Sequence, residues 1–187
     1  MKSNPSTEYV LLGTLMRGPR HGYEIMHFLE SGLESTWRVG TSQLYALLKR
    51  LEQKGNLRSN LETQDTRPSR RVFTLTDTGR KTFMGWIIAP THQVRHFRLE
   101  FISKLFFLHD LSLGGGPELI KAQILVLKKH REEILRREQA EKDPFRKLVY
   151  GFKMETVESR LRWLNDRAKK FMAAHEKRIN VLFKKKG

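Results

Sequence analysis

Apolar residues fall into short periodic runs along the first 90 positions. In TEYVLLGTLM, residues 7–16, Val10, Leu11, Thr14 and Leu15 share one face at helical spacing. Ser6 or Thr7 can cap that helix, and Arg17-Gly18-Pro19 stops it. A second helix is predicted from about Tyr23 to Leu33, with Ile25, Met26, Phe28 and Leu29 as its buried set. A third begins near Thr41 or Ser42, both good caps. It lines up Leu44, Leu47, Leu48 and Leu51, and ends at Gly55, a natural residue just past a helix. The period then changes. LRSNLETQ (57–64) and RRVFTLT (70–76) alternate, which predicts two strands of a hairpin around the tip DTRPS. Thr76 is placed to cap a fourth helix, DTGRKTFMGWIIA, which Pro90 closes.

Three helices, two strands and a helix in under 90 residues is the order of a winged helix-turn-helix. The second half reads as helix throughout. FRLEFISKLFFLHDL (97–111) is amphipathic, SLGGGP breaks it, 117–141 is a long helix, and Asp143-Pro144 breaks again. A last helix is predicted over about 145–178. Tyr150, Met154, Val157, Leu161, Leu164, Ala168 and Phe171 follow one another at alternating steps of four and three, a heptad seam that must bury against another helix. That seam packs either inside the chain or across a two-fold axis. The expected fold is mainly α with a small β-wing: a winged helix-turn-helix over residues 1–90 and an antiparallel helical dimerisation and effector domain over 91–187. Trp37 and Trp86 are expected in the winged-helix core.

Charge changes the picture more than composition does. The 187 residues hold 36 Lys+Arg against 20 Asp+Glu, a net +16, which favours polyanionic partners. Residues 1–90 carry 13 basic and 8 acidic side chains, and residues 91–187 carry 23 and 12. No cysteine is present, so disulfides and thiolate metal sites are excluded. No apolar signal core or run of 18 apolar residues occurs, which reads as a soluble cytoplasmic protein without membrane contact.

The outer face of the third helix then acquires a meaning. Gln43, Tyr45, Ala46, Lys49 and Arg50 stand opposite the leucines, behind Thr41 and Ser42 at the helix start. A helix of this length fits the major groove with its first residues toward base edges. Gln43 and Ser42 sit where bases are read, and Gln suits the edge of adenine. The Tyr45 hydroxyl and the Lys49 ammonium suit phosphates. The competing reading is an ordinary solvated face. Arg67, Arg70 and Arg71 cluster at the hairpin tip, where a wing places Arg beside the minor groove.

Three segments carry a resemblance. His21-Gly22-Tyr23-Glu24, then Leu44-Tyr45 with Leu48, Arg50-Leu51-Glu52 and Gly55, then Arg67-Pro68, Arg70-Arg71, Leu75-Thr76 and Gly79 together resemble the PadR family of transcriptional regulators over roughly residues 9–80. The resemblance implies a dimeric regulator, usually a repressor, with a helical C-terminal dimerisation region. It also implies release from operator DNA by small aromatic or amphipathic ligands in many members. It places Tyr23 and Tyr45 close to the DNA backbone. Two positions depart from the family pattern: Ser42 stands where Gly is common and Ala46 where Pro is common. Both could alter which bases are read.

Other constellations are weaker. His92 and His96 are four apart, with His109 further on, but no third metal ligand lies near in sequence. No nucleophile elbow, phosphate loop or other catalytic arrangement occurs, so no enzyme, metal or cofactor is expected. Trp163 lies off the seam and is a candidate to line an inter-subunit cavity for an aromatic ligand, with ordinary packing as the competing reading. The sequence therefore points to a homodimeric regulator that binds a pseudo-palindromic operator in double-stranded DNA. The rival is a non-specific architectural or adaptor protein, favoured by the basic helical half.

Overall fold

A computed structural model describes the backbone of residues 5–33, 39–64 and 67–184, with side chains over the same ranges except 5, 63, 64, 67–69, 183 and 184. It is mostly helical with one small antiparallel sheet. Packing divides it into two compact units, residues 1–87 with 98–111, and residues 88–97 with 112–187.

In the first unit α1 (Pro5–Thr14), α2 (Gly22–Gly32) and α3 (Thr41–Gln53) precede β2 (Leu57–Gln64), β3 (Arg67–Leu75) and α4 (Asp77–Ile88). A two-residue strand β1 (Arg20–His21) completes the sheet in the order β1-β3-β2, with Arg20 opposite Phe73 and His21 opposite Val72. Two residues are too few to show a period, so β1 has no sequence signature. The chain rises into α1 earlier than the caps predicted. Ser6 lies inside the first turn, and its hydroxyl donates to Glu100 at 2.9 Å rather than capping the helix. Of the four residues expected beneath α2, Ile25 and Leu29 are buried, and Met26 and Phe28 are half-buried. The α3 leucines Leu44, Leu47, Leu48 and Leu51 are all buried, as their spacing required. Gly55 has φ +70°, the left-handed conformation expected after a helix. Thr76 accepts the Gly79 N–H at 3.0 Å and so caps α4. Trp86 is buried as expected, and Trp37 lies outside the described residues.

The segment after α4 is placed differently from the expected boundary at residue 90. Residues 98–111, a π-helical turn (Phe97–Phe101) leading into α5 (Ile102–Asp110), pack with the first unit rather than with the later helices. The reason is aromatic. Phe107 is fully buried, stands edge-on to Phe83 with centroids 5.4 Å apart, and stacks on Phe28 at 6.3 Å. The α1 backbone at Gly13 comes so close that a Cβ there would lie 2.6 Å from the Phe107 ring. Beside it the buried Lys104 ammonium pairs with Glu100 at 2.6 Å and lies 5.0 Å from the Trp86 ring centroid. Burial pushes the Lys104 pKa below the usual lysine range, against the pull of Glu100.

In the second unit α6 (Gly116–Ala140) packs against α7 (Pro144–Trp163) and α8 (Lys169–Lys184). Asp143 caps α7 by accepting the Arg146 N–H at 2.7 Å, with Pro144 in the first turn. One π-helical turn, Leu164–Ala168, joins α7 to α8. A π turn inserts one residue into the helical period, so the buried row is displaced by one position beyond it. Val157, Leu161, Leu164 and Ala168 are buried as the heptad predicted, and Met172, His175 and Ile179 continue the row. Phe171, expected on the seam, is instead 51% exposed. The linker is pinned to this unit. Gln123 donates to the Thr91 carbonyl at 2.9 Å and accepts the Thr91 N–H at 2.6 Å, and Arg160 donates to the Val94 carbonyl at 2.8 Å.

Phe107→Ala should lower stability by about 3–5 kcal/mol in urea denaturation, the usual cost of deleting a fully buried aromatic ring. A loss under about 1 kcal/mol would show that α5 is not part of this core.

Candidate nucleic-acid interface

The interface candidate is built on α3. Burying its leucine row leaves Thr41, Ser42, Gln43, Tyr45, Ala46 and Lys49 in solvent. The N-cap is Gly40 rather than Thr41 or Ser42: its carbonyl accepts the Leu44 N–H at 2.9 Å, and the helix begins at Thr41. Thr41 and Ser42 therefore do not spend their hydroxyls on capping, and both present them in the first turn. Lys49 has no ion pair among the described residues. Its neighbour Arg50 is committed elsewhere. Arg50 and Lys54 both reach Glu8 on α1, at 3.1 and 2.6 Å.

Two further pieces join this helix. Tyr45 is 46% exposed and tilts 54° against Phe73 of β3, centroids 6.4 Å apart. Its hydroxyl end lies against Gly22, where a Cβ would come within 2.5 Å, so α3 meets the start of α2 through this ring. Tyr23, in the first turn of α2, is 57% exposed. The Arg70 guanidinium lies 5.5 Å from its ring centroid, and His21 stacks on it at 5.6 Å. Thus α3, the α2 start and the wing strand form one contiguous surface through Tyr45–Gly22 and Tyr23–Arg70. Arg71 is exposed and reaches Glu52 only at 4.0 Å. Arg67 lies on β3, and its side chain is outside the described atoms.

Sequence reasoning missed His21 and Glu8. His21 holds the α2 start to the wing: its N–H donates to Glu24 at 2.7 Å, and its ring lies 3.4 Å from the Arg71 carbonyl oxygen and 3.7 Å from Glu62. The His-Gly-Tyr-Glu run contained that signal, since a Glu three residues on can reach back to the cap. Glu8, 42 residues from Arg50, left no local trace.

The seam and Trp163 fall in the second unit. Val157, Leu161, Leu164 and Ala168 are buried within the single chain, Tyr150 and Met154 are half-buried, and Phe171 faces solvent. The centre of the seam is therefore already covered and offers no face to a partner. Another apolar face lies on the opposite side of α7, where Phe145, Leu148 and Phe152 are 71, 69 and 75% exposed. Trp163 stands edge-on to Phe97, centroids 6.3 Å apart, and Arg160 lies over the same Phe97 ring at 5.2 Å. No described helix is long and apolar enough to cross a membrane.

Gly22→Ala should push the Tyr45 ring outward without unfolding the unit, because the contact is with the far end of a half-exposed side chain and not with backbone. The expected stability loss is under about 1 kcal/mol, with shifted Tyr45 ring resonances in NMR spectra. Unchanged resonances would contradict the close packing.

Residues 11–84 match the family model described as "Transcriptional regulator PadR-like family". The negative transcriptional regulator PadR of Bacillus subtilis is 30% identical over 117 residues, 63% of this chain and 64% of that protein. The probable transcriptional regulator Rv1176c of Mycobacterium tuberculosis is 25% identical over 87 residues, 46% of each chain. The chain thus aligns with less than two thirds of the length of either relative. Among solved structures, Bacillus subtilis PadR in complex with operator DNA aligns at 24% identity and TM-score 0.45, covering 85% of this chain and 96% of that one. The same protein in complex with p-coumaric acid aligns at 23% identity and TM-score 0.40, covering 89% and 96%. The likeness to the PadR-like family is carried by residues 11–84 of this chain.

Proposed function

We propose that the protein is a dimeric, sequence-reading DNA-binding transcriptional regulator of PadR type, a cytoplasmic repressor released from its operator by a small aromatic ligand. The observation that carries this reading is the contiguous surface made by the α3 face, Tyr23, Arg70 and Arg71. Gln43 and Ser42 read base edges in the major groove. Thr41, Tyr45, Tyr23 and Lys49 hold phosphates, and Arg67, Arg70 and Arg71 lie along the adjacent backbone and minor groove. Glu8 pairs with both Arg50 and Lys54 and offsets one of their two charges, which leaves Lys49 as the unpaired cation of the α3 face among the described residues. The effector part rests on the relative whose structure holds p-coumaric acid. Trp163 beside Phe97 is the ring we assign to such a ligand.

Two copies joined through the helical unit place their α3 helices in successive major grooves, about 34 Å apart. With the seam centre covered, we assign the contact between copies to the Phe145, Leu148 and Phe152 face of α7 in place of the seam residues Tyr150 and Met154. Substituting Phe145→Glu with Phe152→Glu should yield folded monomers in sedimentation velocity. Leu161→Glu with Leu164→Glu should instead lose the helical circular dichroism of the second unit, because both leucines are buried inside it. Folded dimers from the first pair would remove α7 as the contact.

Selection from a random duplex library at near-physiological salt tests the central claim. An inverted repeat with half-sites one turn apart is expected, bound at least about 10³-fold more tightly than random DNA. Gln43→Ala should cost about 1–3 kcal/mol on that site and little on random duplexes. Arg70→Ala should weaken both alike and lower the salt slope by about one. Recovery of DNA with no shared motif would favour the non-specific architectural reading, which the 23 basic against 12 acidic residues of the helical half support.

A further inference from the structure

A groove of about 560 Å³ opens on the second unit between the first half of α6 and the start of α8. Small-molecule sites span roughly 300–1,000 Å³. Its apolar surface comes from Pro117, Ile120, Ile124, Leu125 and Ala173. Leu125 is 61% exposed, an apolar side chain left in water. Lys121, Lys128 and Lys169 also line the groove, against the single acid Glu118. None of the three ammonium groups is in an ion pair among the described residues. Lys121 and Lys128 are seven residues apart on α6, so the groove follows the helix for about 10 Å between them.

We propose that this groove binds a single-chain amphipathic carboxylate, a medium- to long-chain fatty acid in chemical class. The tail lies along Ile120, Ile124 and Ala173, and the carboxylate takes the lysine rim. Two features select that ligand. Ile120 and Ile124 stand one turn apart along it and its rim lysines spread over about 10 Å of α6, which suits an extended alkyl chain more than a compact ring. Its free charge is positive, which favours an anionic head over a cationic one. A second copy of this chain is a poor occupant. Its helical half holds 23 basic against 12 acidic residues, which would meet the lysine rim with like charge. The proposal stands apart from the DNA-binding reading, since it concerns residues of the second unit alone.

Isothermal titration calorimetry of the full chain with dodecanoate below its micelle concentration tests it. Saturable binding is expected, while dodecyltrimethylammonium, with the same tail and opposite charge, does not bind. Lys121→Gln with Lys169→Gln should cost about tenfold or more in affinity, the loss of a charge-assisted contact. Ala173→Phe, at an exposed position, should fill the groove and remove binding while leaving the melting temperature unchanged. Absence of saturable binding overturns the proposal. So does equal binding of the cationic surfactant, or dodecanoate affinity unchanged in both variants. A shift of Ala173→Phe to a smaller species in sedimentation velocity, with no dodecanoate binding to the parent chain, would assign the groove to self-association and overturn it as well.

Discussion

The first unit depends on Phe107 entering beside Gly13. A ring donated from 94 residues downstream fills the space between α1, α2 and α4, and only a residue without a Cβ on α1 leaves room for it. Fully burying an aromatic side chain is among the largest single contributions a small domain can gather, about 1.5–3 kcal/mol by surface transfer alone. The neighbouring Lys104–Glu100 pair, with Ser6 donating to the same carboxylate, fixes the rotation of that segment. The winged core is therefore closed by residues that follow it by a linker. That linker is itself pinned to the helical unit by Gln123 and Arg160.

With the core closed, the surface sorts its charges. Glu8 pairs with both Arg50 and Lys54, Glu52 takes the Ser59 hydroxyl and N–H, Arg70 lies over Tyr23, and Lys49 and Arg71 remain exposed. The same economy operates on the backbone. Because Gly40 supplies the α3 cap through its carbonyl, the hydroxyls of Thr41 and Ser42 stay available at the helix end that faces a ligand. Tyr45 and Tyr23 weld the start of α2 and the wing to α3, so a movement of one is felt by all three.

The helical unit shows how one inserted residue redirects a surface. The π turn at Leu164–Ala168 exchanges Phe171 for Met172 on the buried row and turns α8 so that Lys169 and Ala173 line the groove along α6. A strict heptad would have kept Phe171 inside and carried a coiled-coil seam past the end of the helix.

Much of the molecule was legible in the chain itself. Local periods and stop signals determined the helices, the hairpin, the Gly55 turn and the Thr76 cap, because each rests on residues within a few positions of one another. The leucine row of α3 likewise determined which of its side chains face solvent, and the motif segments of residues 9–80 pointed to the family of the domain. Only the tertiary structure decided where residues 98–111 pack, which cations Glu8 pairs with, which residue caps α3, and where the seam turns. Each of these rests on a contact between residues far apart in sequence, or on a choice between near-equal backbone registers. Neither leaves a periodic trace.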